Sequence, residues 1–199
     1  MLDMITMIGS PTLACGGGLA TSARADENAP LATDDALPHD CGVATVHLIH
    51  GYLGVGKSRF ARDFSARSGA ALISLDEWYL RLYTDGAPTP HQDYELLDRL
   101  TGVLHGHWPQ LLRAGVDVVL DFGFWRRSER DMTRELARSV SANHRLYWVR
   151  TDDETALSRC LTRNDHPGSA FIIDAAAYRD LKARFEELGS DEPFEIVET

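Results

Sequence analysis

The sequence predicts an α/β protein: a parallel sheet covered by helices on both faces. Two observations carry the expectation. Short apolar runs recur at 44–50, 71–75, 116–120, 146–149 and 194–197. Segments with helical spacing separate them, and strands alternating with helices imply parallel pairing through crossovers.

Taken in order, Ala44–His50 is a β-branched run that ends in a glycine loop. Lys57–Arg67 reads as a helix closed by Gly69, because glycine readily takes the left-handed conformation past a C-terminus. Ala71–Leu75 is the second strand. Residues 93–114 space Tyr94, Leu97, Leu100, Leu104, Trp108 and Leu111 helically, with a break expected at Pro109. Val116–Leu120 is the third strand. Ser128 and Asp131 are read as a capping pair for the next helix. Leu146–Val149 is the fourth strand, and Thr151 with Glu154 caps the helix after it. Asp174–Leu188 is the last amphipathic helix, ended by Gly189, and Phe194–Val197 is a final short strand.

The chain has 199 residues, 44% of hydrophobic types, enough for one domain with a real core. Residues 1–43 look different. They hold Gly16-Gly17-Gly18, a run at Asp34-Asp35 and no clear period, so they are expected to be a disordered leader, with the domain at 44–199. Ser22-Ala23-Arg24-Ala25 resembles a signal-cleavage site, but the first residues carry Asp3 and no base, which disfavours secretion. No apolar run is long enough to span a bilayer. Cys15, Cys41 and Cys160 are too widely spaced for a zinc site. They read as free thiols in a reducing compartment, hence a cytoplasmic protein. The formal charge is −10, which argues against general nucleic-acid binding.

The strongest chemical signal is Gly51-Tyr52-Leu53-Gly54-Val55-Gly56-Lys57-Ser58, followed by Arg59. It fits G-x-x-x-x-G-K-S between a strand and a helix. Its backbone N–H groups and the helix N-terminus form an anion cradle. Lys57 is expected to meet the β- and γ-phosphates of ATP, and Ser58 to ligate Mg²⁺. Lys57 and Lys182 are the only lysines among 20 basic residues, so a lysine at the required place carries weight.

Ligands of open α/β sheets sit beyond the carboxyl ends of the strands. Asp76 and Asp121 follow strands two and three. Asp121 is read as a magnesium ligand and Asp76 as the base that takes a proton from an attacking hydroxyl, with Glu77 the fallback. Arg159 and Arg163 share a helix face and can stabilise charge on a transferring phosphoryl group. Trp78, Phe122 and Trp125, together with Arg126 and Arg130, are candidate acceptor contacts; Arg127 belongs to the same basic cluster, and Arg130 could equally pair with Glu129 or Asp131. His105 and His107 flank Gly106 with no third metal ligand in evidence.

The ordered set is the P-loop, Leu75-Asp76-Glu77-Trp78, Leu120-Asp121-Phe122-Gly123-Phe124-Trp125, and Arg159 with Arg163-Asn164. It resembles the small bacterial P-loop kinases of the AAA_33 or zeta-toxin/chloramphenicol-phosphotransferase-like group, over roughly residues 44–199. The resemblance implies a three-layer P-loop NTPase fold with an adenylate-kinase-like core of five parallel strands. It also implies ATP with Mg²⁺, phosphoryl transfer to a hydroxyl, Asp76 as base, and Arg159 and Arg163 as phosphate-binding arginines. Residues 78–94 match no acceptor signature of the group, and the leader has no counterpart in it. The expected acceptor is a small molecule of antibiotic, sugar or nucleoside type. The alternatives are a polynucleotide 5′-hydroxyl kinase and a nucleotide-dependent switch with weak ATPase activity.

Overall fold

The computed structural model describes residues 42–82, 94–165 and 171–199. The leader reading at 1–43 therefore lies almost wholly outside the described residues.

Five strands form one parallel sheet: β1 (Thr45–His50), β2 (Ala71–Ser74), β3 (Val118–Gly123), β4 (Asn143–Arg150) and β5 (Glu195–Glu198). Their spatial order is β2-β3-β1-β4-β5, so β1 lies at the centre and delivers the glycine loop to the middle of the sheet edge. The register pairs Leu48 with Leu120 on one side and with Leu146 on the other.

Parallel strands covered on both faces are apolar at nearly every position, and the side-chain period of two sorts those positions between two cores. Val46, Leu48, Val118, Leu120 and Leu146 face one core with Leu104 and Trp108. These last two come from helix α3 (Tyr94–Arg113), preceded by α2 (Leu75–Leu82). Helix α4 (Arg127–Ser139) adds Ala137 to the same layer. Ile49, Val119, Tyr147 and Val149 face the opposite core. There they meet Ala61 of α1 (Lys57–Ser68), Cys160 of α5 (Asp153–Arg163) and Tyr178 of α6 (Ala175–Lys182). Helices on both faces make three layers.

Several boundaries differ from the sequence reading. Strand β2 stops at Ser74, and Leu75 opens an additional helix, α2, which places Asp76 in a first helical turn rather than at a strand end. Strand β3 runs on to Gly123, so Asp121 lies inside it. Helix α3 continues through Pro109: the proline forfeits one backbone bond, and burial of Trp108 and Leu112 on either side holds the helix together. Helix α4 starts with Arg126 at its N-cap, where Glu129 Oε2 accepts the Arg126 N–H at 3.2 Å, in place of the Ser128–Asp131 pair. The α5 N-cap is Asp152, accepting from Thr155 N at 2.8 Å, not Thr151. Helix α6 ends at Lys182, and 185–189 are irregular.

Candidate functional site: two clefts joined at Lys57 and Asp76

Residues 51–56 carry the chain from β1 into α1. Gly54 has φ of 75°, and a Cβ there would lie 2.1 Å from the Ala156 carbonyl oxygen, so α5 packs directly on the loop backbone. A Cβ on Gly51 would meet the Val149 carbonyl oxygen at 2.4 Å. Only glycine lets the loop sit this deep, which brings its backbone close beneath the cleft; the Gly51 N–H itself donates to the Gly123 carbonyl at 3.3 Å. Tyr52 and Val55 are buried, and Tyr52 bonds to the Tyr178 carbonyl through its hydroxyl. Their side chains are thus core groups, and only their backbone is available to a ligand.

A cleft of about 820 Å³ lies over this loop, lined by Gly54, Gly56, Lys57, Ser58, Arg59, Asp76, Arg159 and Arg163 among others. A second cleft of about 470 Å³ lies between α3 and the ends of β3 and α4. It takes in Asp98, Thr101, His105, Asp121, Phe122, Trp125 and Arg126. Leu53, Lys57, Asp76, Phe171 and Ile173 line both, so the two spaces meet at an ammonium and a carboxylate.

Lys57 Nζ donates to the Tyr52 carbonyl at 2.6 Å. Burial lowers its pKa, opposed by Asp121 and then Asp76. Asp76 is exposed to solvent where it lines both clefts, and protein atoms crowd its carboxyl from behind. That burial, with Asp121 adding to it and Lys57 and Arg163 opposing, pushes its carboxyl up to about 6. Asp121 is 5% exposed and accepts from Ser74 Oγ at 3.2 Å. Glu77 points away from the junction, to Arg62 at 3.2 Å. Arg163 Nη2 donates to Cys160 Sγ at 3.4 Å, and Arg159 Nη1 to Thr199 Oγ1 at 3.2 Å. Thr199 in turn donates to Val55 O at 2.7 Å, tying β5 and α5 to the loop.

Two acceptor candidates are corrected. Trp78 is 40% exposed and lines neither cleft, because α2 buries Tyr79 instead. Arg130 is 1% exposed and structural. It forms two 2.8 Å bonds to Glu192 and one of 3.0 Å to the Phe124 carbonyl. Its partner is neither Glu129 nor Asp131. Arg127 is held by Asp191 at 2.6 Å. His50 is fully buried, with Nδ1 3.0 Å from the Phe124 carbonyl.

The sequence reading missed Asp98, Thr101 and His105. They occur at intervals of three and four within a segment already read as helical, and that spacing was the available signal. It also missed Phe171 and Ile173. Asn164 Nδ2 donates to the Ile173 carbonyl at 2.9 Å and Asn164 Oδ1 accepts from Ile173 N at 3.1 Å, which fixes Ile173 where the clefts meet.

The oxygen donors suit Mg²⁺, which takes hard ligands and is usually held by one or two carboxylates together with phosphates. Ser58 and Asp121 supply such groups. No cluster of three or more His, Cys, Asp or Glu able to hold a metal occurs among the described residues, and a magnesium site completed by phosphates needs none.

A glycine loop between a central β-strand and its helix, in a three-layer parallel sheet, defines a P-loop nucleotide-binding protein with an adenylate-kinase-like core. Residues 46–188 match the family model AAA_33, an AAA domain, and the chain belongs to that family. A search of curated proteins returns no match. Among solved structures, a Chloroflexus aurantiacus protein provisionally named a kinase is similar at a TM-score of 0.64 and 14% identity, over 79% of this chain and 89% of that one. A Sinorhizobium meliloti gluconokinase is similar at 0.54 and 16%, over 78% and 83%. Chaetomium thermophilum Kti12, solved with ADP-AlF3, is similar at 0.57 and 17%, over 77% and 88%. At these identities the likeness establishes the fold. No helix among the described residues is long and apolar enough to cross a membrane.

Proposed function

We propose that the protein is a phosphotransferase that moves the γ-phosphoryl group of ATP to a hydroxyl of a small molecule. The observation that supports this most is the meeting of the two clefts at Lys57 and Asp76. A nucleotide laid along the phosphate loop ends at that junction, and an acceptor in the smaller cleft reaches it from the other side. Holding both reactants in line supplies much of the catalysis in phosphoryl transfer.

In this reading the backbone of Gly51–Ser58 and the N-terminus of α1 bind the phosphates, and Lys57 meets the β/γ oxygens. Ser58 and Asp121 hold Mg²⁺, which when bound neutralises charge developing on the phosphoryl oxygens. Asp76 accepts the acceptor's proton; its raised pKa suits that task at neutral pH, since a general base works best when its pKa is near the working pH. Arg159 and Arg163 stabilise the spread charge from α5. Phe122, Trp125 and Arg126 contact the acceptor. The substrate is of antibiotic, sugar or nucleoside type, and the protein works in the cytoplasm, where ATP is supplied. A polynucleotide acceptor is not adopted, because Arg127 and Arg130 are already committed to acids.

The test is transfer of label from γ-labelled ATP to a panel of hydroxyl compounds, with Lys57→Ala alongside. The expected result is transfer by the parent protein and none by a folded Lys57→Ala. Full activity in that variant would refute the phosphate-loop assignment.

A further inference from the structure

The smaller cleft has two unlike walls. Helix α3 contributes Leu97, Asp98, Thr101 and His105 to it; the spacing stacks the three polar residues along one face of the helix. The end of β3 contributes Phe122 and the loop after it Trp125. Aromatic rings across from a polar stripe suit a ligand with an apolar face and a polar rim.

The polar stripe is richer in acceptors than in donors. An ionised Asp98 carboxylate only accepts. The Thr101 hydroxyl spends its proton on the Leu97 carbonyl at 2.8 Å, which leaves its oxygen lone pairs. Burial lowers the pKa of His105, so a neutral imidazole offers one donor and one acceptor. The complement of such a surface is a molecule rich in O–H donors.

Charge narrows the class further. Leaving aside Lys57 and Asp76 at the junction and Asp121, assigned above to Mg²⁺, the described charged residues lining this cleft are Asp98, Glu129, Arg126 and Arg184. Two carboxylates and two guanidiniums sum to zero. A balanced wall offers no net attraction to a polyanion or a polycation. At about 470 Å³ the space falls in the small-molecule range of roughly 300–1,000 Å³, unlike the basic groove that a nucleic-acid strand needs.

We propose that this cleft takes an uncharged polyhydroxylated ring of sugar size, laid against Trp125 and hydrogen-bonded along α3 by Asp98, Thr101 and His105. This rests on the smaller cleft being the acceptor side of a phosphotransferase.

The experiment uses the full chain with ATP and Mg²⁺. Glucose, ribose and myo-inositol are the neutral probes. Gluconate, kanamycin and a 5′-hydroxyl oligonucleotide are the charged ones. The expected result is that a neutral probe has a kcat/KM at least about tenfold above every charged one. Asp98→Asn and His105→Gln should each raise the KM for that probe by about tenfold or more, with the Kd for ATP unchanged. Both positions are at least partly solvent-accessible, so the variants should fold. Preference for a charged probe overturns the proposed class and leaves the phosphotransferase reading standing. An unchanged KM in both variants overturns the role of α3. Transfer to water alone across the whole panel overturns the phosphotransferase reading together with the class.

Discussion

A base that must work near neutrality needs a pKa close to the working pH, and Asp76 obtains one from burial and from Asp121. The direction of the pH effect follows. The carboxylate is the active form, so kcat/KM should be level above about pH 6 and fall about tenfold per unit below it. A pH–rate profile checks this; a limb displaced to the ordinary carboxylate range would mean that Asp76 is not the titrating base. The two arginines of α5 should differ. Arg163 acts electrostatically on both Lys57 and Asp76, whereas Arg159 is held by Thr199. Arg163→Ala should therefore lower kcat by about 10²–10³-fold, the range seen when one transition-state donor is removed. Arg159→Ala should lower it less, with ATP affinity largely kept in both.

At the scale of elements, the irregular segment after α6 docks on α4 through ions. The side chains of Glu192 and Arg130 are each 1% exposed, and Arg134 joins them at 2.5 Å. Gly189 N donates to Glu192 at 3.0 Å. The Arg130 hydrogen bonds, chiefly, hold the Glu192 carboxyl far below its ordinary value of 4.5. A depressed carboxyl contributes stability that is complete above its unfolded pKa and is lost as pH falls through the folded one. Thermal unfolding should show Tm falling below about pH 4.5, with a shallower fall in Glu192→Gln. That variant leaves the buried Arg130 guanidinium without its anion, while Arg134 keeps Asp131 at 2.7 Å, and should cost about 3–5 kcal/mol.

The same elements explain what the sequence could show. Strand β1 was legible because a buried parallel strand is a largely apolar, β-branched run, whereas of β4 only the apolar Leu146–Val149 was read and the polar Asn143–Arg145 and Arg150 were not. Helix α2 was not legible, because Leu75 extends the mostly apolar stretch Ala71–Leu75 and nothing local separates Ser74 from the helix that starts beside it. Arg130 was misread because its nearest acids in sequence, Glu129 and Asp131, are not its partner; that partner lies 62 residues away. The phosphate loop was fully legible, since its glycines and lysine answer to local backbone geometry. The α3 face of the smaller cleft was not, since its meaning depends on what packs across from it.

At the scale of the molecule, the proposed phosphotransferase has its nucleotide and its acceptor on two sides of one junction at the end of a central strand. A chain beginning at Val43 should keep its Tm and its activity; a large loss of either would contradict the reading of residues 1–43 as a dispensable leader. The central claim is that Asp76 takes the proton where the clefts meet. The most direct measurement is kcat for acceptor phosphorylation by Asp76→Asn, with the Kd for ATP measured in parallel. Asparagine keeps the size and removes the basicity. The expected result is a fall in kcat of about 10²–10⁴-fold with the Kd for ATP little changed. A near-normal kcat in that variant would contradict it.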